Sequence, residues 1–200
     1  MKIIPLLYFK KRKIYTNTNK EQISTQEIIN SIEKETNVYF IDYDGIEKNK
    51  PNFCTYQRIS SHYKLWVDYG PRSIGDIFDI VMAGVLNITI RKNLIEYLKI
   101  ESIKNVIENP IYEYFTINKS TDISTISASS HSDGVILHSD NTSQSIEKNN
   151  DALVINNVME KYQVNIIEPD EKNFSYWKKK GAASVITDFT TWKKVKKNEY

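Results

Sequence analysis

The sequence predicts an α/β protein built as a compact, closed (β/α)8 barrel of the TIM type, and three observations predict it. Eight short apolar runs rich in strand-forming residues alternate with stretches of helical periodicity. The ends of these runs, taken at positions 42, 68, 91, 118, 139, 168 and 188, recur every 20 to 29 residues. Each run passes into polar or charged residues just where a strand should stop. Alternating βα units at such spacing imply a parallel sheet with right-handed crossovers. Eight of them in 200 residues sit at the lower size limit of a closed barrel. An open doubly wound sheet is the alternative, but no glycine-rich first turn supports it.

The elements follow in order. Residues 3–9 read as the first strand. Residues 10–15 read as a turn with a small extension, in the manner of a hairpin. Ser24 and Glu27 have capping-box spacing, and Ile28, Ile29 and Ile32 continue as the first helix. Residues 38–41 form the second strand and lead into Asp42-Tyr43-Asp44-Gly45. Tyr56, Ile59 and Tyr63 mark a second helix. Residues 65–67 are the third strand. An amphipathic helix follows from Ile74 to Met82, stopped by Gly84. Residues 87–90 are the fourth strand, ending at Arg91 and Lys92. Ile100, Ile103, Val106 and Ile107 make a helix that Pro110 ends. Residues 112–117 are the fifth strand, ending at Asn118. Residues 120–132 are dense in Ser and Thr, so the fifth helix is read as reduced to a loop. Residues 134–137 are the sixth strand, leading to His138. A helix over 152–162, a seventh strand at 164–167 ending in Glu168, and a helix over 174–181 come next. The eighth strand, 184–187, ends at Asp188, and a basic helix over 192–197 closes the chain.

Composition bounds the function. The chain reads as a single domain over residues 1–200. Lys and Arg number 27 against 25 Asp and Glu. That balance gives no bulk field to attract nucleic acid. The lysine clusters at 10–13, 178–180 and 193–197 read first as solvated faces. The single cysteine, Cys54, cannot form an internal disulfide and reads as a buried structural thiol in a cytoplasmic protein. No apolar run reaches the ~18 residues of a membrane span. The pattern at the start of the chain is not that of a signal peptide.

Three motifs carry a family resemblance. Residues 3–10, Ile-Ile-Pro-Leu-Leu-Tyr-Phe-Lys, resemble an opening Ile-Ile-Pro-x-x-Asp-Leu-Lys. Ile41-Asp42-Tyr43-Asp44-Gly45 with Lys50-Pro51-Asn52 resembles Asp-Leu-Asp-Gly followed by Lys-Pro-x-Asn. Residues 66–73 resemble Val-Gly-Gly-Gly-Ile-Arg-Ser. These are signatures of the histidine-biosynthesis isomerase and cyclase barrels, and the chain is most similar to divergent archaeal members of the isomerase branch. The resemblance implies a cytoplasmic aldose–ketose isomerase-type barrel without cofactor or metal, acting on a small phosphorylated, sugar-like metabolite. It implies neither nucleic acid nor membrane as partner, and leaves homo- or hetero-oligomers open. That family works with an aspartate at the end of strand one and another at the end of strand five. Here those positions hold Tyr8 and Asn118, so the usual catalytic pair is not retained. Arg91-Lys92 replaces the phosphate-binding Gly-Thr after strand four, and the glycine-rich turns after strands seven and eight are absent.

The candidate site on this reading comprises Asp42, Asp44 and Asp68 as acid–base groups, with Arg72, Arg91, Lys92, Asn118, Glu168 and Asp188 binding substrate or phosphate. Converging carboxylates could also hold a divalent ion, and the same residues could cap helices or pair with one another. His138 is the one histidine at a strand end. A non-catalytic barrel serving as a binding or subunit protein is the alternative function. A weaker likeness joins residues 181–188 to the closing strand of glycerophosphodiester phosphodiesterases, whose His-Arg-Gly opening is missing here.

Overall fold

The computed structural model describes residues 1–16, 21–94, 99–117, 128–139 and 151–198. Eight parallel strands close on themselves. They are β1 (Lys2–Lys10), β4 (Asn37–Asp42), β5 (Lys64–Asp68), β6 (Asn87–Arg91), β7 (Ile111–Ile117), β8 (Gly134–Ser139), β9 (Val164–Ile167) and β10 (Ser184–Asp188). The closing seam pairs β10 with β1 in parallel from Lys2↔Ser184 to Leu6↔Asp188, so the sheet has no free barrel edge. The predicted small extension is β2 (Lys13–Tyr15) and β3 (Gln22–Ile23), both antiparallel beyond the end of β1.

The helices α1 (Thr25–Ser31), α3 (Phe53–Ser60), α4 (Ile74–Met82), α5 (Ile100–Lys104), α6 (Asp151–Lys161), α7 (Phe174–Lys180) and α8 (Phe189–Asn198) surround the strands. The Ser24–Glu27 capping box forms in both directions at the start of α1. Gly84 ends the stretch after α4 at a φ of 85°, a conformation that costs a residue with a Cβ about 1 kcal/mol or more. One helix was not expected: α2 (Tyr43–Lys48), where the acidic motif reads as a turn. The expected loop in place of the fifth helix falls largely at 118–127, outside the described residues. Among those described, no helix is long and apolar enough to cross a membrane.

Side-chain alternation divides the core. Outward residues such as Leu7, Phe40, Val67, Ile88, Val135 and Val185 pack under the helices. Inward residues fill the barrel axis with Ile4, Leu6, Tyr8, Tyr39, Ile41, Trp66, Ile136, Ile167 and Ile186. Large aromatics dominate this interior. Trp66 lies 4.2 Å from Tyr112 between ring centroids, and its indole N–H donates to Thr89 Oγ1 at 2.9 Å. The barrel is therefore a packed core rather than a pore. Cys54 is exposed on α3, which corrects the buried reading; this helix buries Tyr56 and Ile59 instead.

Candidate functional site

The parity of each strand decides which of the candidate residues enter the mouth. Trp66 points inward, so Asp68, two residues on, does too. Ile186 brings Asp188 inward in the same way, and Thr89, bonded to the interior Trp66, does so for Arg91. Val38 and Phe40 point outward, and Asp42 follows them.

Asp68 and Arg91 form the polar centre. Arg91 Nε donates to both Asp68 oxygens at 3.0 and 2.9 Å, and Nη2 donates to Oδ2 at 2.6 Å. Asp68 is fully buried and Arg91's side chain keeps 20% exposure. Burial pushes the Asp68 carboxyl above its ordinary range, against the pull of the Arg91 charge. The guanidinium carbon lies over the Tyr114 ring, 3.9 Å from its centroid. Tyr114 Oη in turn meets His138 Nδ1 at 2.6 Å. Across the mouth, Tyr8 donates to Asp188 Oδ1 at 2.8 Å and stacks on Tyr43 at 6.2 Å. Burial, followed by the neighbouring Asp188 charge, holds the Tyr8 phenol far above its usual range, so Tyr8 serves as a donor. Burial also raises the Asp188 carboxyl, with the Tyr8 hydrogen bond opposing it.

Asp42, Asp44, Arg72 and Glu168 are engaged by the scaffold. Asp42 turns away from the mouth, and its carboxylate accepts from Asp44 N, Gly45 N, Asn52 N, Asn52 Nδ2 and Tyr56 Oη. It thereby caps α2 and ties α3 to the strand end. Gly45 is required beside it, because a Cβ there would lie 2.7 Å from the Tyr69 carbonyl oxygen. Arg72 donates to Ile46 O at 2.7 Å and Asn49 Oδ1 at 2.7 Å, closing the end of α2 rather than offering itself to phosphate. Glu168 accepts from Asp170 N and, at 3.0 Å, from Trp177 Nε1, which fixes α7. Lys92 opens a 3-10 turn after β6, and Asn118 lies outside the described residues. The structure thus brings Asp68, Arg91 and Asp188 together at the mouth. Tyr8, Tyr43, Tyr114 and His138 join them; in the sequence, Tyr8 was marked by its place at the strand-one aspartate position and His138 by its place at a strand end.

Asp44 holds a strained turn. Lys11 and Arg12 both have positive φ, 52° and 60°, and both donate their amides to the Asp44 carboxylate at 2.9 and 2.8 Å. Burial opposes the charge of Asp44, but those amides and Lys48 outweigh it and keep the carboxyl below its ordinary range. A carboxyl lowered on folding adds stability above its unfolded value, which is lost as pH falls through the folded one. Asp44→Asn is therefore expected to cost about 1–2 kcal/mol in urea unfolding at pH 7. Repeated at pH 3, the gap between variant and wild type should shrink; an unchanged gap would contradict the assignment.

Among the described residues, no group of three or more His, Cys, Asp or Glu side chains is placed to hold a metal ion. A cavity of about 570 Å³ opens at the amino end of the strands between Lys2, Glu33, Trp192 and Lys196, away from the mouth.

No protein-family model matches the sequence, and no curated protein matches it. Solved structures do. A 3-hexulose-6-phosphate synthase from Salmonella typhimurium superposes with a TM-score of 0.60 at 11% identity, covering 96% of this chain and 90% of that one. A methylornithine synthase superposes with a TM-score of 0.58 at 11% identity, covering 92% and 71%. At such identities the likeness is one of fold, and the fold is a TIM barrel.

Proposed function

We propose that the protein is an isomerase-type barrel that binds a small phosphorylated, sugar-like metabolite across its carboxyl-end mouth, as a divergent relative of the histidine-biosynthesis isomerases. One observation carries this reading. Arg91 spends its Nε–Nη2 edge on buried Asp68, and among the described residues nothing accepts from Nη1. A locked guanidinium with a free outer edge is a planar receptor for a phosphate or carboxylate. It stands on β6, four strands from β10 in either direction round the ring, so Asp188 faces it across the mouth. Asp188, held by Tyr8 and raised by burial, is the acid–base group of such a site. The superposable 3-hexulose-6-phosphate synthase is named for a small molecule of the same class.

The test uses a panel of phosphorylated aldoses and ketoses, scored by thermal shift and by deuterium wash-in at carbon in heavy water. Asp188→Asn is expected to keep the thermal shift and to lose exchange by about 10²–10⁴-fold. Exchange at the wild-type rate would remove Asp188 from the chemistry. The same variant reports on stability. A carboxyl raised on folding loses stability as pH rises through its folded value, and the amide does not. Asp188→Asn should therefore melt at or above the wild-type temperature at pH 7.

A second reading rests on Tyr8, which occupies the strand-one position where the resembled family places an aspartate and cannot serve as a base. On that reading the barrel is a binding or subunit protein. It predicts no exchange with any panel member, and a stable hetero-oligomer in pull-down.

A further inference from the structure

We propose that the amino-end face of the barrel, opposite the mouth, docks the protein on an anionic lipid surface. This is independent of the chemistry read at the mouth.

In a closed parallel barrel, every turn that leads from a helix into the next strand lies at one end. Four of the five large apolar side chains exposed among the described residues fall there: Met1 at 39%, Met82 at 80%, Leu86 at 41% and Val106 at 44%. Met82 and Leu86 lead from α4 into β6, and Val106 leads from α5 toward β7, so these three occupy adjacent turns. The fifth, Phe78, stands one turn before Met82 on α4. Single exposed apolar residues are ordinary, but their gathering at one end marks an interaction surface.

The charge at the same end identifies what covers it. The turns before β9 and β10 and the last turns of α8 carry Lys161, Lys178, Lys179, Lys193 and Lys197, all exposed. Lys2 joins Lys193 and Lys197 at the cavity of about 570 Å³. Among the described residues, no salt bridge engages any of these lysines. In the segments 160–163, 178–183 and 192–198, Glu160 is the one acidic residue. Glu33 and Glu35 line the same cavity and bound the basic patch.

Lysines at helix carboxyl ends also complement the helix macrodipole, but that dipole has no use for Met82, Leu86 and Val106. A bilayer uses both sets. Lysines meet anionic headgroups while apolar side chains enter the interface, and two such signals together hold a protein where one would not. A nucleic acid would match the lysines and leave the apolar turns exposed. A second copy of the chain seated here would match the apolar turns and leave the lysines unanswered. Among the described residues no helix is long and apolar enough to cross a membrane, so the contact is peripheral. The family resemblance implied no membrane partner; the side chains of this face argue for one. Docked in this way, the mouth points away from the bilayer into water.

The test is co-sedimentation of the intact protein with lipid vesicles. Vesicles of phosphatidylcholine with about one-third phosphatidylserine should bind it, and phosphatidylcholine alone should not. Salt at about 0.5 M should release it. Lys178→Gln/Lys179→Gln should weaken binding about 25-fold, taking about fivefold for each lysine. Met82→Ser should weaken it about tenfold. Both variants change exposed positions, so both should melt with the wild type and keep its thermal shift with phosphosugars. Failure to bind the anionic vesicles overturns the proposal, and so does wild-type binding by either variant. Tighter binding to single-stranded polyuridylate than to vesicles, unaffected by Met82→Ser, would overturn it in favour of nucleic acid. A dimer in sedimentation equilibrium that Met82→Ser dissolves, without vesicle binding, would overturn it in favour of a second copy.

Discussion

Asp42→Ala is expected to cost about 3–5 kcal/mol of folding stability, measured by urea unfolding at pH 7. The carboxylate is fully buried and accepts from Asp44 N at 2.9 Å, Gly45 N at 3.1 Å and Asn52 N at 3.0 Å. The Asn52 amide and the Tyr56 hydroxyl complete the set. Alanine leaves these donors inside the protein with nothing to accept from them, and each orphan costs about 1–3 kcal/mol. Burial raises the Asp42 carboxyl, while Tyr56 and Asn52 pull it down, so the charge itself is only partly compensated. Asp42→Asn should accordingly cost less than the alanine variant. A loss below about 1 kcal/mol for alanine would contradict the capping role. In neither variant should the folded fraction lose ligand binding, because the side chain does not reach the mouth.

Arg91→Met is expected to destabilise by a similar amount, about 3–5 kcal/mol, because it strands the fully buried Asp68. The double variant Asp68→Leu/Arg91→Met should recover most of that loss, since an apolar pair of similar volume is often neutral or better. Strong non-additivity in urea unfolding is the signature sought; simple addition of the two single losses would mean the pair is not a unit. Ligand binding separates the roles. The double variant should be folded and yet give no thermal shift with any phosphorylated sugar, because the outer edge of the guanidinium is gone. A retained shift would locate the anion elsewhere.

Much of the fold was legible because its signals are local. The eight apolar runs, the Ser24–Glu27 capping box and the glycine stop at Gly84 each depend on neighbours within a few residues. α2 was not legible, because Asp-Tyr-Asp-Gly-Ile-Glu has the composition of a turn. Its six residues become helical when Asp42 caps them and Arg72, from the next strand end, closes them.

The candidate site was legible only in part, and strand parity is the reason. In a half-exposed strand, alternation of polar and apolar residues shows which face is which. A parallel barrel strand is buried on both faces, so Val38 to Ile41 is apolar throughout and gives no clue to where Asp42 points. Asp42 and Glu168 came out facing the helices, Asp68 and Asp188 facing the axis. Tyr8 stood in the sequence at the strand-one aspartate position of the resembled family, and in the barrel it is a buried residue whose hydroxyl donates to Asp188, while the partly buried Tyr114 beside it gave no signal.

Periodicity and capping act over one or two turns of chain, and that short range was enough to specify the αβ alternation and the charged punctuation of its strand ends. The division of labour among those charges came from the folded barrel alone. Asp42 and Asp44 hold the scaffold, while Asp68, Arg91, Asp188, Tyr8 and His138 meet at the mouth. These five residues lie on five different strands, and what brings them together is the register and closure of the sheet, set by packing on both of its faces.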